Sequence, residues 1–110
     1  MAPPPPPVMT RDRIATAEGA AGQLLVTVDW TELAVTLVAG DRVWLRAVRD
    51  GQQVTEGIFE AGATVVLAAA DRIEVRTGRA VHTRIIIGGV DIGPAGERDT
   101  PRTLVIVRRQ

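Results

Sequence analysis

The sequence predicts an all-β fold, a small two-layer β-sandwich or partly open barrel, mostly antiparallel, with about seven to eight strands. Three observations carry that expectation. Short runs rich in Val, Ile and Leu follow one another through most of the 110 residues; each is too short for a helix of ordinary length. Gly, Asp-Gly and Asp-Arg breaks separate the runs. The chain is 45% apolar with only Trp30, Trp44 and Phe59 as aromatics, so its core must be aliphatic. A sheet set of this size needs a second layer to cover its apolar face.

Residues 1–22 read as a linker. The prolines at 3–7 favour polyproline II, a semi-rigid spacer of about 15 Å. Residues 10–22 are rich in charge, alanine and glycine; Thr10 is placed to cap a short helix through Ala17, but Gly19 and Gly22 interrupt any continuation, and the whole stretch reads as linker with at most a frayed turn. The domain spans 23–110. Residues 24–29 and 33–39 read as strands around a break at 30–32, although the apolar pattern also permits one continuous segment, and a strand at 43–50 follows. Asp50-Gly51 is a hairpin signal, because a type I′ turn needs φ > 0 and glycine supplies it without cost. Residues 54–59 form the return strand, and Ala61-Gly62 turns the chain into 64–69.

At 73–77, Ile73, Val75 and Thr77 face one way while Arg72, Glu74 and Arg76 face the other. That is a sheet with one face in a core and one in water. A strand at 81–87, the Gly88-Gly89 turn, a short strand at 90–92 and a loop over 93–102 follow. The aliphatic density of 103–107 points to a central or well-covered strand.

Charge and chemistry exclude more than they assign. The thirteen basic side chains, all arginine, equal the thirteen acids, so no net field draws a phosphate backbone or an anionic surface, and no nucleic-acid partner is expected. Cysteine is absent, which excludes disulfides and thiolate metal sites. No run approaches the length of a spanning helix and no signal peptide is evident, so a membrane anchor would have to lie upstream. Serine, lysine and tyrosine are missing as well, leaving few nucleophiles. His82 is the one histidine, in phase with Arg84 on a strand, and reads as a solvated residue. Asp29 with Glu32, Glu56 with Glu60, and Glu97 with Asp99 lie near turns, where acids are common for backbone reasons. No enzyme, catalytic residue, metal or cofactor is expected.

The weak binding candidates are Trp44, Arg46, Arg49 and Arg79. Arg42, Arg46 and Arg49 flank Trp44, with Arg46 on its face of the strand; an exposed Trp beside Arg is a plausible contact for a partner. Trp44 itself reads as a core residue whose ring edge reaches the rim.

The run from Val43-Trp44-Leu45-Arg46 through Asp50-Gly51, then Gly57, Ala61-Gly62, Ile73-Glu74-Val75, Gly78-Arg79-Ala80 and Gly88-Gly89, resembles the C-terminal extracytoplasmic domain of the bacterial cell-shape protein RodZ family. The resemblance covers 32–107. It implies a structural role with no catalytic residue: an all-β domain outside the cytoplasmic membrane, joined by a linker to a membrane-spanning helix and a cytoplasmic helix-turn-helix domain. It implies a protein partner in the cell envelope or elongation machinery, tethering through an upstream helix, and an extracytoplasmic location. Where relatives often carry Asn in the turns at 79 and 88, this chain has Arg79 and Gly88; glycine keeps the left-handed turn and arginine does so less well. The alternative function is binding of a cell-wall polymer or carbohydrate, with Trp44 and Trp30 as the only aromatic platforms.

Overall fold

The computed structural model, which describes residues 9–19 and 22–109, contains ten strands in two sheets and no α-helix among those residues. The polyproline reading of residues 3–7 lies outside the described residues. The strands are β1 (Ile14–Glu18), β2 (Leu24–Val28), β3 (Leu33–Ala39), β4 (Val43–Arg49), β5 (Gln52–Phe59), β6 (Thr64–Ala69), β7 (Arg72–Thr77), β8 (Thr83–Ile87), β9 (Val90–Pro94) and β10 (Arg102–Arg108). One sheet has the order β1-β2-β10-β7-β4-β5 and the other β6-β3-β8-β9. Neither closes on itself, so the architecture is the sandwich and not the barrel. All neighbours are antiparallel except β10 and β2.

Alternation decides the faces. Val43, Leu45 and Ala47 of β4, Ile73, Val75 and Thr77 of β7, and Leu33, Val35, Leu37 and Ala39 of β3 point inward and are buried. With Leu104 and Ile106 of β10 and Ile85 and Ile87 of β8 they form one aliphatic core. As its composition suggested, β10 is internal, between β2 and β7.

One segment differs from the sequence reading. Residues 14–18, read as linker, form β1 and pair with β2 in register from Ile14 opposite Val28 to Glu18 opposite Leu24. The frayed turn allowed after Thr10 is a single 3-10 turn at Arg11–Arg13, with no side-chain cap from Thr10. The physical reason is that an Ala- and Thr-rich segment has little preference of its own and takes the ladder that β2 offers.

Two hairpins follow their turn residues closely. Asp50 and Gly51 have φ of 46° and 82°, the left-handed pair a type I′ turn requires. Gly88 and Gly89 do the same between β8 and β9, with φ of 57° and 88°. Glycine is needed twice over at 88, because a Cβ there would lie 2.9 Å from the Met9 side chain.

Asp50 also joins the two sheets. Its carboxylate accepts the backbone N–H groups of Ala70 (2.9 Å), Asp71 (3.0 Å) and Arg72 (2.9 Å), in the turn linking β6 of one sheet to β7 of the other. Those three bonds to the charged form hold its carboxyl below the ordinary 3.8. A group whose folded-state pKa is depressed stabilises the fold above its unfolded pKa, and that stability disappears as pH falls through the folded value. Asp50→Asn is therefore expected to lower the urea midpoint at neutral pH. Its deficit relative to the parent should vanish under acid conditions below the folded-state pKa, a convergence that paired denaturation curves across pH would measure.

Candidate functional site

β4 and β5 present the main apolar feature of the outer surface. Trp44 lies directly opposite Ile58 in the ladder, and Arg46 opposite Glu56. Because Val43 and Leu45 take the inward positions, Trp44 must point outward, and it is 36% exposed, with Ile58 at 58%. The expectation of a core Trp44 is thus corrected: strand parity overrides the general preference of tryptophan for burial. Arg42, Val43, Gly78 and Arg79 complete a shallow groove of about 310 Å³ along the Trp44–Ile58 pair.

The other candidates divide between two places. Arg46 lies on the outer face with Trp44, and its Nε donates to Gln53 Oε1 at 3.1 Å. Arg49 does not join them. It sits at the far end of β4 with the parity of the inward Val43, Leu45 and Ala47, and donates to the Ala68 carbonyl at 3.3 Å. Arg79 closes the groove from the opposite side, held by a network of its own. Its Nε and Nη2 donate to the two oxygens of Asp99, both at 2.9 Å, while Nη1 donates to Asp41 Oδ2 at 3.1 Å and to the Arg42 carbonyl at 3.0 Å.

That fork is a rigid, bidentate arrangement. Its bonds to Asp99, and secondarily to Asp41, push the guanidinium pKa above its ordinary value. The same bonds hold the Asp99 carboxyl below the usual carboxylate range, and the Arg42 N–H followed by Arg79 does so for Asp41. Arg79 therefore serves first to fix the turn after β7, and contributes its stem and one edge to the groove. Its backbone, in turn, is fixed from below: the Arg79 N–H donates to Thr77 Oγ1 at 3.2 Å, and the Thr83 hydroxyl donates to the Arg79 carbonyl at 3.2 Å.

The remaining chemistry-bearing residues do not converge. His82 is in a 3-10 turn at Ala80–His82, not in the strand where the sequence suggested it, and its Nε2 is 3.8 Å from Asp99 Oδ2. Trp30 is half-buried against the core, with the Arg13 guanidinium 5.2 Å from its ring centroid, so one face of the ring is already occupied. Among the described residues no group of three His, Asp or Glu side chains is placed to hold a metal ion. No helix among them is long and apolar enough to cross a membrane. Ile58 and Gly78 were missed by the sequence reading. The Asp50-Gly51 turn alone would set Gly57 opposite Trp44; an extra residue in β5, Val54, shifts the register by one and brings Ile58 there instead, which no local signal in the sequence marks.

A family model described as RodZ C-terminal domain matches residues 36–105, most of the chain and nearly all of the sandwich from β3 to β10. No curated protein and no solved structure matches the chain.

Proposed function

The chain belongs to the RodZ C-terminal domain family, a family of cell-shape related domains, and from that premise we propose that it is a non-enzymatic interaction domain of a membrane-tethered bacterial cell-shape protein, working outside the cytoplasmic membrane. The observation that carries the reading is the exposed Trp44–Ile58 pair between Arg46 and Arg79. A large aromatic with aliphatic support and fixed arginines at its margin is the composition of a contact hot spot. The partner is a protein of the envelope or elongation machinery, reached while an upstream helix holds the chain at the membrane.

Trp44→Ala in the full-length protein is the discriminating variant. Truncating a buried Trp costs about 3–5 kcal/mol; this one, on an outer face, is expected to leave the isolated domain cooperatively folded in a thermal melt. Cells carrying the variant as their only copy are expected to lose normal shape with the protein still present in the membrane fraction. Protease added to intact spheroplasts should remove the domain. A variant with unaltered cell shape, or a domain that resists external protease while cytoplasmic proteins also remain intact, would defeat the proposal.

The exposure of Trp44 also favours a second reading, a wall-polymer or carbohydrate-binding module, since aromatic faces stack on sugar rings. Co-sedimentation with purified wall polymer separates the two. The carbohydrate reading expects binding that Trp44→Ala abolishes, and the protein-partner reading expects none.

A further inference from the structure

The open edges of the two sheets differ in how they are protected. β1 is short and ends at Glu18; β5 carries Glu56 and is itself bulged at Val54, opposite Ala47/Val48; β9 carries Asp91, is bulged at Ile92, opposite Ile85/Ile86, and ends at Pro94. Charges, bulges and prolines are the devices by which edges refuse another strand. β6 has none of them, for residues 61–70 hold neither a charge nor a proline and the pairing of β6 with β3 is regular.

Its backbone groups point the right way to accept a strand. The Ala39 N–H donates to the Ala63 carbonyl at 2.9 Å, so Ala63 and, by alternation, Val65, Leu67 and Ala69 address β3. Thr64, Val66 and Ala68 address the open edge. The bonds of Arg49 to the Ala68 carbonyl and of the Ala70 N–H to Asp50 mark where that edge ends. Ahead of both, the N–H and C=O of Thr64 and Val66 have no partner among the described residues, and Val66 is 75% exposed.

We propose that this edge pairs with the same edge of a second copy of the chain, antiparallel about a two-fold axis at Val66, joining two four-stranded sheets into one continuous sheet. Pairing about a two-fold sets each residue against its own symmetry mate or a near neighbour, so a charge at the centre would meet its like. Glu56 on β5 or Asp91 on β9 would be so placed, whereas β6 brings together only Thr, Val and Ala. Val66 exchanges both backbone bonds with the partner's Val66, and Thr64 does so with the partner's Ala68. The Ala68 carbonyl has a second lone pair and keeps Arg49. Each copy uses its β6 once, so the contact closes as a dimer. A strand edge is a small contact, which makes the association weak and dependent on concentration.

Sedimentation equilibrium over a concentration series reads the outcome. The mass is expected to rise from 11.7 kDa toward twice that value. Val66→Lys keeps an exposed position exposed but seats like charges at the axis, and is expected to stay monomeric. Val66→Pro removes an edge N–H that makes no bond to β3, and is expected to be monomeric with an unchanged circular dichroism spectrum. Since the chain has no cysteine, Val66→Cys supplies a single thiol. Facing residues of a hydrogen-bonded pair lie about 5.5 Å apart at Cα, which suits a disulfide, so this variant should oxidise to a dimer far faster than Val54→Cys on β5. A parent chain that is monomeric at every concentration, with both cysteine variants oxidising equally slowly, would overturn the proposal. So would a dimer that survives Val66→Lys and Val66→Pro, or a mass that grows without stopping at two copies.

Discussion

Removing residues 102–110 is expected to leave no folded domain. β10 lies between β2 and β7, parallel to one and antiparallel to the other, so its loss detaches the β1–β2 hairpin from the rest of its sheet. It also removes Leu104 and Ile106, both fully buried, and exposes the inward faces of both neighbours. Total stability of a small domain is about 5–15 kcal/mol, and a strand that covers two others exceeds what that margin can absorb. Circular dichroism should show no cooperative thermal transition. The graded version is Ile106→Ala, for which a buried aliphatic truncation costs about 2–5 kcal/mol. Its urea midpoint should fall with the slope unchanged, while Val54→Ala on the exposed rim should stay within about 0.5 kcal/mol of the parent. A truncated chain that still melts cooperatively would mean that the core does not depend on β10.

The position of β10 was legible because five successive aliphatic or β-branched residues suit a strand covered on both flanks. β7 was legible for the opposite reason, a strict alternation of apolar and charged residues that leaves one choice of inward face. Asp50-Gly51 was legible because the turn chemistry is local. What local chemistry does not contain is which strand lies beside which. The order β6-β3-β8-β9, and with it the placement of the uncharged β6 on an open edge, depends on contacts between distant segments. β1 was missed for a related reason, since Ala15, Thr16 and Ala17 become a strand only because β2 is there to pair with them.

The candidate surface was half legible. Trp44 was singled out, but its burial was read from residue type when its parity with Arg46 already indicated the outer face. Arg49 was grouped with Trp44 by proximity in sequence, but it shares the parity of the inward Val43, Leu45 and Ala47, and at the strand's end its side chain reaches the Ala68 carbonyl of the other sheet. Arg79 belonged to the surface for a reason that sequence does not carry: Asp41 and Asp99, 38 and 20 residues away, converge on its guanidinium.

The placement of Arg79 leads to the second large effect. Thr77 on β7 and Thr83 on β8 are fully buried, and their hydroxyl oxygens are 2.7 Å apart across the two sheets. Since the Thr83 hydroxyl donates to the Arg79 carbonyl, Thr77 supplies the proton between the two threonines, and Thr77 Oγ1 accepts from the Arg79 N–H. The result is a closed circuit in which both hydroxyls and both backbone groups of Arg79 are satisfied. Thr77→Val keeps the shape and deletes one hydroxyl, leaving the Arg79 N–H without its acceptor and Thr83 without a donor. Leaving buried polar groups unpaired costs about 1–3 kcal/mol. Adding Thr83→Val is expected to cost less than its own single effect, because the second hydroxyl has then already lost one of its partners, and a double-mutant cycle by urea denaturation would show that coupling directly. The same variants should loosen the turn that carries the guanidinium, so any ligand bound through the Trp44 groove should bind Thr77→Val more weakly even where the domain remains folded. Additive single effects would mean that the two hydroxyls act independently and that the circuit holds neither the sheets nor Arg79 in place.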